Sequence, residues 1–129
     1  MIIKRDFIQK AVKDLGFKDN TEVQNLVIPK ANKGLDIIGC SQTGTGKTHA
    51  FLIPIFEALD LNNHDVQAVI TVPTRELAQQ IYNFAVHIAK FNETPIDIRQ
   101  YVGGGDREKE ISRLKKSQPQ IVIGTPGRI

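Results

Sequence analysis

Residues 36–48 read DIIGCSQTGTGKT, in which a short segment that is apolar after Asp36, residues 36–40, leads directly into a loop that contains two glycines and ends in Lys-Thr. The apolar run is typical of a short buried strand, and a helical pattern over residues 47–59 follows the loop. Gly44 and Gly46 let the backbone curl so that successive amide hydrogens point at one spot, and the following helix adds the positive end of its dipole. Strand, glycine loop and helix in this order indicate a phosphate-binding site.

The side chains of this loop suit a nucleotide. The loop matches the pattern G-x-x-x-x-G-K-[ST] except at its first position, where Ser41 is still small enough for a tight turn. Lys47 can reach the β- and γ-phosphates and Thr48 can ligand Mg²⁺, so we predict catalytic roles for both and a metal-binding role for Thr48. The alternative is a structural glycine turn, and the pattern alone does not identify the purine. The predicted nucleotide contacts in the loop are Ser41, Gln42, Thr43, Gly44, Thr45, Gly46, Lys47 and Thr48.

On both sides of the loop, helical and strand patterns follow one another. A short amphipathic helix is predicted after Asp6, and a second over residues 23–31, which Asn20 or Thr21 could cap and Pro29 should bend or end. Further strands are predicted at residues 68–72, 96–102 and 120–123, and further helices at residues 75–91 and 106–116. Strands alternating with helices predict parallel pairing, and therefore an α/β fold with a parallel sheet flanked by helices.

Composition excludes several classes of protein. Hydrophobic residues make up 40% and charged residues 24% of the 129 residues, a globular balance that argues against disorder, collagen and coiled coil. The longest apolar run, residues 50–56, is far shorter than the ~20 residues that span a bilayer. Cys40 is the only cysteine and residues 1–10 lack the apolar segment of a secretory signal, so we expect a cytoplasmic protein. A net charge of +3 is compatible with a polyanionic partner.

Three further fragments accompany the loop: GFKDNTEVQ at residues 16–24, PTRELA at 73–78 and TPGR at 125–128. In this order the four motifs resemble those of bacterial DEAD-box ATP-dependent RNA helicases, and the resemblance covers residues 7–128. It implies a RecA-like P-loop NTPase fold that is incomplete at the carboxyl end. Residues 1–129 would then be one partial helicase ATP-binding domain, the amino-terminal part of the first RecA-like domain, with a Q motif within residues 1–32.

The Q-motif resemblance implies that the purine is adenine. In the family, the glutamine that corresponds to Gln24 hydrogen-bonds the adenine edge and the aromatic residue at Phe17 offers a stacking face; Phe7 has the spacing of the isolated upstream aromatic. Without the resemblance, Gln24 would be interpreted as a solvated helix residue and Phe17 as a core residue. Asn20 stands where the family usually has proline, which leaves the turn less rigid and would weaken adenine binding.

The loops that follow the last three predicted strands form a candidate RNA surface, because ligands in open α/β sheets gather at the carboxyl ends of strands. The resemblance implies contacts with the RNA backbone from Pro73, Thr74, Arg75, Gly103, Gly104, Thr125, Pro126, Gly127 and Arg128. The residues alone leave two alternatives open, a surface ion pair for Arg75 and an ordinary turn for the glycines. Mixed charges over residues 106–116 favour a solvated helix face over an RNA groove.

The sequence therefore predicts an ATP-dependent RNA helicase that uses ATP and Mg²⁺, binds RNA with little sequence preference and needs a second RecA-like domain. The family's D-E-A-D and S-A-T segments are not in these residues, so we expect a truncated chain with no significant RNA-stimulated ATPase or unwinding of its own. The alternatives are a non-catalytic ATP- and RNA-binding fragment and another P-loop ATPase such as a DNA translocase. His49 and Cys40, beside the loop, are interpreted as structural.

Overall fold

A computed structural model of the chain describes residues 5–14, 22–39, 47–103 and 107–129. The chain divides into two compact units, Met1–Leu59 and Asp60–Ile129. The described part of the first unit is helical, and that of the second is a parallel sheet with helices. The predicted cap residues Asn20 and Thr21 lie outside the described residues.

The first unit contains α1 (Asp6–Asp14), α2 (Glu22–Asn32) and α3 (Lys47–Ala58), which confirms the predicted helices. Both α1 and α2 pack against α3. In α1, Phe7 lies on the buried face and meets Phe56 of α3 edge-to-face, with ring centroids 6.1 Å apart. This aromatic contact lies within the apolar core of the unit.

Arg5 caps the carboxyl end of α3. Its guanidinium donates to the carbonyl oxygens of Phe56 at 2.9 Å and Leu59 at 2.6 Å, and its backbone N–H donates to the Glu57 carboxylate at 3.1 Å. The last carbonyls of a helix have no partner within the helix, and an arginine satisfies them while its charge complements the negative end of the helix dipole. Arg5 therefore joins the chain ahead of α1 to the end of α3.

The carboxyl end of α2 contradicts one of the two effects predicted for Pro29, which were a bend and an end of the helix. The helix continues past Pro29 to Asn32. The helix instead ends in a Schellman turn, in which the N–H of Gly34 donates to the Ala31 oxygen at 2.9 Å and that of Leu35 to the Lys30 oxygen at 3.3 Å. Gly34 supplies the left-handed conformation that this turn requires, with φ at 80°.

Residues 36–39 also differ from the prediction, because they form no strand; Cys40 lies outside the described residues. Ile38 is 94% exposed, whereas Ile37 lines an apolar cavity of about 490 Å³ with side chains of α2 and α3. A strand exists only through hydrogen bonds to a neighbour, and within the described ranges no strand pairs with this segment. The predicted burial is therefore also wrong at Ile38, because an apolar pattern contains no information on a pairing partner.

The second unit contains β1 (Ala68–Thr71), α4 (Arg75–Ala89), β2 (Ile98–Tyr101), α5 (Arg107–Lys116) and β3 (Ile121–Gly124). The strand order is β1-β3-β2 and both pairings are parallel, which confirms the predicted α/β architecture. All four residues of β3 are buried, as expected for the central strand of a parallel sheet. The apolar face of α4 packs against β2 and β3.

Helix α5 buries none of its residues and lies at the surface. Its carboxyl end is held by Arg99 of β2, whose guanidinium donates to the backbone oxygen of Ser117 at 3.0 Å and to its hydroxyl at 2.9 Å. The same guanidinium pairs with Asp97 at 2.9 Å, a hydrogen bond that raises the pKa of Arg99.

Within the described ranges, no helix is both long enough and apolar enough to cross a bilayer.

Candidate functional site

The sheet register brings three of the predicted loops to one edge. Thr71 of β1 and Tyr101 of β2 both lie opposite Gly124 of β3, so the three strands end at the same level. Two hydrogen bonds continue the pairing beyond the strands: Val72 N–H donates to the Gly124 oxygen at 3.0 Å, and Thr125 N–H donates to the Tyr101 oxygen at 3.1 Å. The loops that follow β1, β2 and β3 therefore begin side by side, and we call this group the loop edge.

The first loop leads into α4. Pro73 is exposed, and the exposed Thr74 caps the helix by accepting a hydrogen bond from Leu77 N–H at its hydroxyl oxygen, at 3.2 Å. That bond uses the hydroxyl oxygen as an acceptor, so the hydroxyl hydrogen can still be donated to a ligand. Arg75 is the first residue of α4, at the helix end whose dipole favours anions.

Arg75 links the first loop to the glycine loop after β2, because its guanidinium donates to the carbonyl oxygen of Gly103 at 3.2 Å. The ion pair considered from sequence had a carboxylate as its partner, whereas this contact is with a backbone oxygen. Gly103 is exposed, and Gly104 lies outside the described residues. The side chain of Arg75 therefore connects two of the three loops.

The third loop closes into a turn. The N–H groups of Arg128 and Ile129 both donate to the Thr125 oxygen, at 3.0 and 3.1 Å. Pro126 and Gly127 are exposed at the tip of the turn, and Thr125 is half-buried. The turn presents a hydroxyl and a guanidinium, groups that suit phosphate oxygens.

Arg128 also contacts α5, an interaction that sequence reasoning missed. Its Nε lies 3.2 Å from Oε2 of Glu110, and the two side chains are only 18% and 22% exposed. The mixed charges of α5 indicated a solvated face, and no local spacing links two residues that are 18 positions apart. The only sequence signal is that Glu110 is an acidic residue in the first turn of a helix, where the dipole favours it.

Gly124 allows the close approach of the second and third loops. A Cβ atom at this position would overlap the Tyr101 carbonyl oxygen, which accepts the hydrogen bond from Thr125. It would also lie 3.0 Å from Cγ1 of Ile129. No sequence pattern distinguishes Gly124, because the need for glycine arises from a neighbouring strand rather than from its own backbone conformation.

The predicted nucleotide contacts belong to the first unit. Lys47 and Thr48 are the first two residues of α3, so residues 41–46 directly precede a helix N-terminus, the position that favours phosphate. Ser41, Gln42, Thr43, Gly44, Thr45 and Gly46, together with Phe17, lie outside the described residues. The contacts of this loop with a nucleotide stay a prediction.

Gln24 is 1% exposed, so its interpretation as a solvated helix residue is wrong. A buried carboxamide discriminates strongly between hydrogen-bonding partners, because a mismatch leaves it unsatisfied. The burial of Gln24 suits a residue that distinguishes one base from another, and this role stays a prediction.

Among the described residues, no group of three or more His, Cys, Asp or Glu side chains could hold a metal ion.

Comparison with known proteins identifies the family. The family model of the DEAD/DEAH box helicases matches residues 21–129. The DEAD-box ATP-dependent RNA helicase CshB of Listeria monocytogenes is 52% identical over 123 residues, which cover 95% of this chain and 28% of that protein. CshB of Bacillus subtilis is 48% identical over 126 residues, 97% of this chain and again 28% of the relative. The chain thus spans little more than a quarter of the length of these curated relatives.

Solved structures agree with this assignment. The DEAD-box helicase Mss116 bound to ssRNA and UDP-BeF matches 98% of this chain and 27% of its own, with a TM-score of 0.86 and 37% identity. A DEAD box protein from the hyperthermophile Methanococcus jannaschii matches 96% of this chain and 33% of its own, with a TM-score of 0.85 and 34% identity. The chain has the RecA-like fold that its motifs imply, and it belongs to the DEAD/DEAH box helicase family.

Proposed function

We propose that this chain is the amino-terminal part of the ATP-binding domain of an ATP-dependent RNA helicase, with the Q motif within residues 1–32. The observation that carries the proposal is the loop edge, because three loops that contain hydroxyl, guanidinium and glycine groups suited to phosphate begin at one level of a parallel sheet. The relatives are named ATP-dependent RNA helicases, and one matching structure is bound to ssRNA. The proposal includes a cytoplasmic location, as expected from the sequence.

ATP is the proposed substrate. Residues 41–46 would cradle the phosphates with backbone N–H groups, at the N-terminus of α3. Lys47 would neutralise the β- and γ-phosphates, while Gln24 and Phe17 would bind the adenine. Mg²⁺ bound beside Thr48 would offset negative charge on the phosphate oxygens. Hydrolysis also needs groups that position the attacking water, which we assign to the D-E-A-D segment of the family and to the second RecA-like domain.

The nucleotide proposal is tested by the affinities for ATP and GTP, measured by isothermal titration calorimetry on the protein that the complete reading frame encodes. We expect Lys47→Ala to weaken both nucleotides by about tenfold or more, since charge-assisted hydrogen bonds contribute about 1.5–3 kcal/mol. Gln24→Ala should lower only the preference for ATP over GTP. The preference is reported as the ratio of the two affinities. A loss of folded protein would weaken the binding of both nucleotides alike and would therefore cancel in this ratio.

Lys33→Ala is the matched control for the lysine, because Lys33 is an exposed residue of the same unit outside the predicted contacts. Its affinities should equal those of the unmutated protein. Equal affinity of the unmutated protein for ATP and GTP would contradict the adenine assignment, and an unchanged affinity in Lys47→Ala would contradict the phosphate loop.

RNA is the proposed partner at the loop edge. Thr74, Arg75, Gly103, Thr125 and Arg128 would contact phosphates and sugars, and the loop edge supports this because its groups are hydroxyls, guanidiniums and backbone rather than base-stacking aromatics. Binding would depend on salt and little on base sequence. Contacts with 2′-hydroxyls would favour RNA over DNA, which distinguishes this proposal from a DNA translocase.

The RNA proposal is tested by the salt dependence of binding to a single-stranded RNA, measured by fluorescence anisotropy on the complete protein. Replacing Arg75 and Arg128 together with alanine should reduce the slope of log affinity against log salt by about 1.4, since each phosphate contact contributes about 0.7 for a single strand. Arg113→Ala, at an exposed position of α5, should leave the slope unchanged. An unchanged slope in the double variant, or equal affinity for DNA of the same sequence, would refute this assignment.

A further inference from the structure

The ion pair between Arg128 and Glu110 places a carboxylate next to a residue that is proposed to bind RNA phosphates. Glu110 itself has no proposed ligand. The two side chains are mostly shielded from solvent, at 18% and 22% exposure, so the pair is screened less than a typical surface pair. A carboxylate next to a phosphate-binding site would ordinarily lower RNA affinity by repulsion, so its presence needs a compensating role.

The backbone around Arg128 is already fixed. The turn is closed by the hydrogen bonds to the Thr125 oxygen, and it is joined to β2 by the bond from Thr125 to Tyr101. A long side chain on a fixed backbone still samples many rotamers, and ordering it at the moment of binding costs free energy. The bond from Nε to Oε2 of Glu110 restricts those rotamers before any ligand arrives.

Glu110 is itself well supported. It lies in the first turn of α5, where the helix dipole favours a carboxylate. At the other end of the helix, Ser117 is held by two hydrogen bonds from Arg99. The helix, which buries none of its residues, is therefore contacted by an arginine near each end.

We infer that Glu110 is a positioning residue for RNA binding, which holds the Arg128 guanidinium in a preformed orientation at the loop edge. The inference rests on the proposed RNA function. It assigns to α5 a role that the interpretation as a solvated face did not include. Preorganisation of this kind raises affinity because the ordering cost is removed from the binding step.

The test compares three variants that each remove one negative charge from α5 of the complete protein. Glu110→Ala removes both the charge and the acceptor, Glu110→Gln keeps an acceptor oxygen at the same distance along the side chain, and Glu108→Ala removes the charge at an exposed position of the same helix. Affinity for single-stranded RNA is measured by anisotropy at fixed salt. ATP affinity, which belongs to the contacts proposed for the first unit, serves as the readout that positioning of Arg128 should not change.

Positioning predicts that Glu110→Ala weakens RNA binding roughly two- to tenfold, the cost of ordering one long side chain on binding. Glu110→Gln should recover most of that loss, and Glu108→Ala should bind RNA as well as or slightly better than the unmutated protein. In an Arg128→Ala background, Glu110→Ala should cause no further loss. ATP affinity should be unchanged throughout.

Three results would overturn the inference. Tighter RNA binding in Glu110→Ala would mean that the carboxylate acts by repulsion, and equal binding would mean that it does not position Arg128. A loss that Glu110→Gln does not relieve, or one accompanied by an equal loss of ATP affinity, would mean that Glu110 supports the fold rather than Arg128. Absence of RNA binding in the unmutated protein would instead refute the proposed function itself, so the two failures are distinguishable.

Discussion

Among the described glycines of the second unit, Gly124 is the one at which an added side chain would meet the closest atoms. A Cβ there would overlap the Tyr101 carbonyl oxygen, a backbone atom that cannot move without disturbing the β2–β3 pairing. We therefore expect Gly124→Ala to destabilise the protein by about 1–3 kcal/mol, the usual cost of overpacking a tight site. Urea unfolding monitored by circular dichroism measures this change.

Gly127→Ala is the control for that measurement. Gly127 lies in the same loop, but a Cβ there meets nothing within 4 Å. Its effect should stay within about 0.5 kcal/mol, as for most surface substitutions. Equal unfolding free energies for the two variants would contradict the steric argument at Gly124.

Residues of the candidate site could be predicted where their role follows from a local pattern. Thr74 was identified from a motif, and the structure gives it a second local role as the cap of α4. Gly124 and Glu110 could not be predicted, because each depends on a contact with another element of the fold. A single sequence contains no distances between segments that lie far apart along the chain.

At the scale of elements, α3 depends on a residue from outside itself. Arg5 donates to two carbonyl oxygens at the end of this helix. Arg5→Ala should lower the free energy of unfolding by about 1–3 kcal/mol, because hydrogen bonds from a charged donor are lost and helix carbonyls are left without that partner. Urea unfolding of this chain, followed at 222 nm, reports the change.

Lys10→Ala tests whether the loss of any basic residue near α1 has the same effect. Lys10 pairs with Asp6 at 3.0 Å, but both side chains are largely exposed, so this pair should contribute less than about 1 kcal/mol. If Lys10→Ala proved as costly as Arg5→Ala, capping of α3 would not explain the effect.

The elements differ in how far the sequence determined them. Helix α4 was predicted at residues 75–91 and spans Arg75–Ala89, because its cap and apolar periodicity lie within the segment. Strand β2 was predicted at residues 96–102 but spans only Ile98–Tyr101, because its ends are set by pairing with the four residues of β3. Pairing also explains why residues 36–39 of the strand predicted at 36–40 are not a strand. No described strand pairs with them.

On the scale of the molecule, the sheet has an edge strand, β1, with one side available for pairing with another chain. Within the described ranges, β1 pairs with β3 along one side and with no strand along the other, and Val69 at its centre is 54% exposed. We expect the 129-residue chain to self-associate through this edge, because unpaired apolar strand edges recruit further strands. Val69→Lys should shift sedimentation velocity profiles towards the monomer.

Val66→Lys is the matched control. Val66 is 39% exposed and precedes the strand, so the substitution adds the same charge without blocking the edge of β1. Its sedimentation profile should resemble that of the unmutated chain. If both lysines reduced association equally, added charge rather than the strand edge would be responsible.

In the part of the chain that the structure describes, β1 and β2 each pair only with β3, which is the last of these three strands along the chain. During synthesis, therefore, β1 and β2 emerge from the ribosome before the strand that joins them exists. Helix α4 needs only its own residues to begin forming, and helices form within about a microsecond, whereas synthesis adds roughly 5–20 residues per second. For seconds at a time, the growing polypeptide would hold a marginally stable helix beside two apolar segments that cannot yet pair. During that interval the apolar residues of both segments are exposed to chaperones.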